Sequence, residues 1–178
     1  PKIKQKPQSG TGSGFFVSKM GHVITNAHVV KGCKKLTVGD NANKQVPAEL
    51  INTDRSNDLA LLKLSTLEMA SAESKSLIQK LSIVVVPLAS KGLLRNEDVR
   101  LGEKVLVAGY PFGDIFSNTI KVTSGIVSAT RGSGDDSGQF QLDAAVQPGN
   151  SGGPIYDSSG NIVGVVISQL DKLKMAKA

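Results

Sequence analysis

The residue that most invites chemistry is Ser151, which lies in the run Gly149-Asn150-Ser151-Gly152-Gly153-Pro154. Glycines let a backbone turn tightly enough for several N–H groups to converge on one point. Such convergence is what stabilises an oxyanion. Taken alone, the run also fits a Gly-rich β-turn. A serine hydroxyl is a weak nucleophile at neutral pH and needs an adjacent base. The chain offers only His22 and His28 for that role. A histidine base in turn needs a third group, usually a carboxylate, to fix its tautomer.

Chain order narrows the choice. Both histidines precede Ser151, and no Asp or Glu precedes either histidine. An acid–histidine–serine order is therefore impossible. Gly149-x-Ser151-x-Gly153 formally matches a nucleophile elbow, but that architecture needs a histidine after the serine, and none follows. A Cys–His pair built on Cys33 fails for the same reason, since no histidine follows Cys33. Histidine, then acid, then serine is the common triad order that remains. Metal chemistry has little support, because His22 and His28 lie six apart with no further clustered ligands. The run Gly10-Thr11-Gly12-Ser13-Gly14 has no closing lysine and is not a phosphate loop. No cofactor motif is evident, so none is expected.

These residues need a scaffold. The chain has 178 residues, enough for one domain or two small lobes. Residues 1–12 are polar and Pro/Lys/Gly-rich and read as a flexible arm. From Ser13 onward short β-like runs follow one another: residues 15–17 and 22–25 flank a hairpin signal at Lys19-Met20-Gly21, and others span 35–38, 46–52 and 59–64. A second series spans 104–108, 119–129, 140–144, 154–156 and 162–168. Short strands at this spacing, broken by 19 glycines, predict an antiparallel all-β sandwich or barrel. Between the series, Leu67, Ala70, Leu77, Ile78 and Leu81 fall close to one helical face, so a surface helix is predicted over 66–82. A linking loop is expected over 89–101. Polar, Gly-rich residues 111–118 and 130–138 read as mobile loops.

Composition excludes some classes. The net charge is +6, yet the basic residues are scattered and aromatics make up only 4% of the chain. That leaves little material for base stacking, so nucleic acid is not an expected partner. No apolar run approaches the roughly 18 residues of a membrane span. A single cysteine, Cys33, permits no disulfide within the chain; it reads as a bystander thiol.

The ordered motifs resemble a known family. Thr25-Asn26-Ala27-His28-Val29-Val30, Asn57-Asp58-Leu59-Ala60-Leu61-Leu62 and Gly149 to Pro154 are similar to the three triad segments of trypsin-like serine proteases. Gly12-Ser13-Gly14-Phe15-Phe16, Gly102-Glu103-Lys104-Val105, Gly109-Tyr110-Pro111-Phe112-Gly113, Thr123-Ser124-Gly125-Ile126-Val127-Ser128 and Asp143-Ala144-Ala145-Val146-Gln147-Pro148 resemble the HtrA/Deg branch. The resemblance runs from about Gly10 to Ile167. It implies two six-stranded antiparallel β-barrels of chymotrypsin type, here with one short inserted helix. The first lobe would span 13–88, and the linking loop and second lobe 89–178.

By the same resemblance, His28 is the base, Asp58 orients it and Ser151 is the nucleophile. Gly149, Asn150 and Ser151 form the oxyanion hole, and Val166, Ile167 and Ser168 help wall the substrate pocket. That wall is aliphatic, which implies small or medium aliphatic P1 residues. His22, after Gly21, reads as a surface or strand histidine. Asp40 and Asp54 read as turn residues, and Asp143 as a turn or barrel residue. The implied activity is a serine endopeptidase in protein quality control, acting on unfolded polypeptide in an extracytoplasmic compartment such as the periplasm. The alternative is a binding or chaperone-like module using the same cleft. Relatives often form trimers through aromatics upstream of the Gly-Ser-Gly segment. Residues 1–10 contain no aromatic, so they lend a homo-oligomer no support. The chain stops at Ala178 with no clear closing strand and no PDZ-like module, which suggests a C-terminal truncation.

Overall fold

The computed structural model describes residues 10–41, 44–65, 97–110 and 119–167. The helix predicted over 66–82, the loop 111–118, Ser168 and nearly all of the arm lie outside the described residues.

Among the described residues, ten strands and one short α-helix follow in order: β1 (Phe15–Phe16), β2 (His22–Asn26), α1 (Ala27–Val30), β3 (Leu36–Asn41), β4 (Lys44–Asp54), β5 (Leu59–Leu64), β6 (Lys104–Gly109), β7 (Lys121–Ala129), β8 (Gln141–Leu142), β9 (Pro154–Asp157) and β10 (Ile162–Val165). They form two five-stranded sheets, ordered β1-β2-β5-β4-β3 and β10-β9-β6-β7-β8. Every pairing is antiparallel. The architecture is the expected all-β one, with five rather than six strands per sheet among the described residues.

Alternation builds both cores. In β5, Ala60, Leu62 and Leu64 are buried while the residues between them are less so. In β6, Val105 and Val107 point inward while Lys104 and Leu106 face solvent. Successive side chains on a strand face opposite ways, so one face of each sheet becomes apolar. Val23, Val30, Ala60 and Leu62 make one core, with Phe16, Leu36, Val38 and Ala48 around it. Val105, Val107, Val127, Ala144, Ile155 and Val166 make the other.

The predicted hairpin at Gly21 forms, pairing Phe15 with Ile24 and Phe16 with Val23. α1 was not foreseen. At four residues it is too short to produce a 3.6-residue pattern, yet it carries His28.

Candidate active site

Strand register brings His28 and Asp58 together. β2 and β5 run antiparallel with Asn26 opposite Leu59. The residues just after Asn26 and just before Leu59 are therefore neighbours. Asp58 closes the turn into β5 with φ 53°, a left-handed conformation that Asp tolerates better than most residues. Its carbonyl accepts from Ala27 N–H and from Asn26 Nδ2, both at 3.0 Å. Its carboxylate Oδ1 accepts from His28 N–H at 2.9 Å, and Oδ2 lies 2.6 Å from His28 Nδ1.

The first N–H groups of a helix have no partner within it. Asn26 precedes α1 but makes no side-chain cap; Asp58 serves Ala27 and His28 instead. One carboxylate thus holds both the backbone and the ring of His28. The pair is partly open to solvent, at 48% and 31% side-chain exposure, so a substrate can reach it.

The turn leading to Asp58 is itself fixed by Asp54. Its Oδ1 accepts from Ser56 Oγ at 2.6 Å, from Ser56 N at 3.0 Å and from Asn57 N at 3.2 Å, while Oδ2 accepts from Asn57 Nδ2 at 2.6 Å. The Ser56 hydroxyl above all, then Asn57, stabilise the charged carboxylate and lower its pKa from 3.8 to about 2. The reading of Asp54 as a turn residue holds.

Ser151 follows a second shaped turn. Asn150 N–H donates to Gln147 O at 3.0 Å, and Gly149 has φ 97°. With Pro148 at the first central position and a positive φ at the second, this is a type II turn. Glycine is needed there because other residues strain at that φ. Beyond Ser151, Gly152 N–H donates to Val166 O at 2.8 Å and Val166 N–H to Gly153 O at 2.9 Å. Gly152 also packs against the first sheet: a Cβ on it would collide with Ser13 O and Thr25 Oγ1 and stand 3.2 Å from Asn26 N. Gly12 sits between Val29 of α1 and Ser151; a Cβ there would lie 2.7 Å from Val29 Cγ1 and 3.1 Å from Ser151 O. Missing side chains thus let the Ser151 loop close onto the helix that carries His28.

Among the described residues, no hydrogen bond joins the Ser151 hydroxyl to the His28 ring, whose bonded partner is Asp58. Catalytic hydrogen bonds are often long in ligand-free enzymes and tighten on substrate. The N–H groups of Gly149 and Ser151 have no acceptor among the described residues. Two donors with no acceptor among the described residues therefore flank Asn150, one inside the turn and one just past it. Asn150, expected as a third donor, does not serve: its N–H closes the turn on Gln147, and the residue is 5% exposed.

The other sequence-predicted residues fall as follows. Val166 is 4% exposed and its side chain joins the second core, so it supplies backbone contacts beside Ser151 rather than an open wall. Ile167 is half-buried next to it. His22 begins β2 with its Nδ1 2.6 Å from Ser18 Oγ. Asp143 Oδ1 accepts from Ile126 N–H at 2.7 Å, a structural role between strands. Asp40 lies in β3. Cys33 is half-buried with Sγ toward Val29 O at 3.7 Å.

The family model for a trypsin-like peptidase domain matches residues 12–165. The chain belongs to the trypsin-like peptidase family. Among relatives of this peptidase domain, an uncharacterized protein, y4bJ, of Sinorhizobium fredii (strain NBRC 101917 / NGR234) is 40% identical over 165 residues, covering 93% of this chain and 23% of that protein. A probable periplasmic serine endoprotease, DegP-like, of Hahella chejuensis (strain KCTC 2396) is 37% identical over 170 residues, covering 93% of this chain and 31% of the relative. The chain thus spans less than a third of the length of these relatives. Among solved structures, the HtrA-type protease AlgW with decapeptide superposes with a TM-score of 0.67 at 30% identity, covering 91% of this chain and 44% of that one. The serine endoprotease from Yersinia pestis gives 0.65 at 27%, covering 90% and 49%. Together these relatives put the peptidase domain on the HtrA/Deg branch. Among the described residues no helix is long and apolar enough to cross a membrane.

Proposed function

We propose that this peptidase domain cleaves peptide bonds through His28, Asp58 and Ser151. The observation that carries the proposal is the double grip of Asp58 on His28, at Oδ1 to the backbone N–H and Oδ2 to Nδ1. A carboxylate on Nδ1 puts a proton there and leaves Nε2 free to act as base. Ser151 Oγ attacks the peptide carbonyl carbon while Nε2 takes its proton. The carbonyl oxygen becomes an oxyanion and receives the N–H groups of Gly149 and Ser151. Losing one such donor typically costs about 3 kcal/mol of transition-state stabilisation. The C–N bond then breaks, and His28 returns its proton to the leaving amine. Water, deprotonated by His28, hydrolyses the acyl-serine and restores the enzyme.

The substrate we propose is unfolded polypeptide with a small or medium aliphatic P1 residue, in an extracytoplasmic compartment. Relatives named as probable periplasmic serine endoproteases, DegP-like, support the compartment and a polypeptide substrate. The aliphatic residues Val165 and Ile167 beside the Ser151 loop, with no acid among them, support the P1 preference. The test is cleavage of an unfolded protein such as casein by wild type and Ser151→Ala, with a peptide panel varied only at P1. Cleavage lost in Ser151→Ala and strongest at aliphatic P1 is expected. Equal cleavage by both proteins would contradict the mechanism; preference for Lys or Arg would contradict the pocket.

A further inference from the structure

Ser13 has no acid–base chemistry to offer, yet all its polar atoms are engaged and they reach both sheets. It is 4% exposed. Its N–H donates to Ser151 O at 2.8 Å, and its carbonyl accepts from Thr25 Oγ1 at 2.7 Å. Its hydroxyl donates to Gly149 O at 2.6 Å and accepts from Tyr110 N–H at 2.8 Å. Because a backbone N–H can only donate, Tyr110 occupies a lone pair of Oγ and directs the single hydroxyl proton at Gly149. The absence of a side chain at Gly109 clears the space: a Cβ there would lie 2.9 Å from Ser13 Oγ and 2.8 Å from Asn150 Oδ1.

The position of that bond matters. Gly149 C=O and Asn150 N–H belong to one peptide plane. The N–H edge is held by Gln147 O at 3.0 Å and the C=O edge by Ser13 Oγ. The unclaimed N–H groups of Gly149 and Ser151 lie one peptide to either side. Gly149 can relax from φ 97° at little steric cost, so its own backbone does not hold the turn. A turn with the opposite sign of φ at its second central residue turns the preceding peptide over. That peptide carries the Gly149 N–H.

We propose that Ser13 is a positioning residue that holds the Gly149 peptide groups so that the Gly149 and Ser151 N–H donors stay aimed at one point. The inference rests on the serine-peptidase reading of the site. Its basis is a hydrogen bond between residues 136 apart in sequence, from the first lobe to the nucleophile loop.

The test is Ser13→Ala, with Ser18→Ala as a control that removes a hydroxyl bonded to His22 away from the nucleophile loop. One buried hydrogen bond corresponds to about tenfold. For Ser13→Ala, kcat is expected to fall by about that factor with KM little changed. Affinity for a peptidyl boronate, which mimics the tetrahedral adduct, should fall in parallel. Ser13→Cys keeps the volume with a weaker donor and should fall between the two. It also serves if the alanine variant does not fold. Independently of activity, the Gly149 amide resonance in protein labelled with nitrogen-isotope glycine should shift or broaden in Ser13→Ala and stay unchanged in Ser18→Ala. Unchanged kcat and boronate affinity, or an unmoved Gly149 resonance, would overturn the proposal. An inert wild type with a Gly149 resonance that still moves would instead count against the peptidase reading and leave the positioning role standing.

Discussion

Asp58→Asn isolates what the carboxylate does for His28. The exchange keeps the shape but replaces one acceptor by a donor. Asp58 uses both oxygens, Oδ1 on His28 N–H at 2.9 Å and Oδ2 at 2.6 Å from His28 Nδ1. An amide has one oxygen, and the backbone N–H decides where it goes. Turning the amide NH2 toward that N–H would set two donors against each other, a loss of about 1–3 kcal/mol. The amide oxygen therefore stays on the backbone and the NH2 faces Nδ1. Nδ1 must then accept, so the imidazole proton moves to Nε2, the atom that should receive the Ser151 proton. The same exchange in a trypsin-type triad costs on the order of 10⁴ in kcat with geometry preserved, or about 5.4 kcal/mol. The assay is kcat on a peptide amide substrate at neutral pH, with the thermal unfolding midpoint measured alongside. A fall near 10⁴ with a small change in midpoint is expected. A folded variant within about tenfold of wild type would refute the tautomer argument.

Gly152→Ala should destabilise the fold. The added Cβ meets Ser13 O and Thr25 Oγ1 closer than real Cβ atoms come, at φ 87°. Left-handed strain and overpacking together predict a loss of about 2–5 kcal/mol, read by chemical denaturation; a loss under 1 kcal/mol would show that Gly152 does not need its close approach. Asp54 predicts an acid-side effect. Its pKa is about 2 folded and 3.8 unfolded, so its contribution is fully present above the unfolded value and is lost as pH falls through about 2. Asp54→Asn should therefore narrow its stability gap to wild type between pH 4 and 2, as measured by urea unfolding; a gap that widens on acidification would contradict the sign.

Much of the site was legible in sequence because chain order alone restricts a triad. Two histidines, both ahead of Ser151, leave few arrangements, and alternation in 59–64 and 104–107 marks one strand in each of the two sheets. What was hidden depends on contacts distant in sequence. The resemblance pairs Asp58 with His28, but its second grip, on the His28 backbone N–H, comes from the β2–β5 register that brings Asp58 to the start of α1 across 30 residues. Asn150 reads as an oxyanion donor until the turn to Gln147 claims its N–H. Val166 reads as a pocket wall, but strand alternation cannot say which residue faces the core where a strand ends, and it faces inward. Ser13 carried a weak signal in Gly12-Ser13-Gly14, a lone polar residue between glycines, but its partners at Gly149 and Tyr110 are unforeseeable from local pattern.

The most direct measurement is covalent labelling with a fluorophosphonate, followed by peptide mapping. If Ser151 is activated by His28 and Asp58, the folded protein takes up one label, located on Ser151, and Ser151→Ala and His28→Ala do not. A folded wild-type protein that takes up no label, or takes it on another serine, would contradict the account.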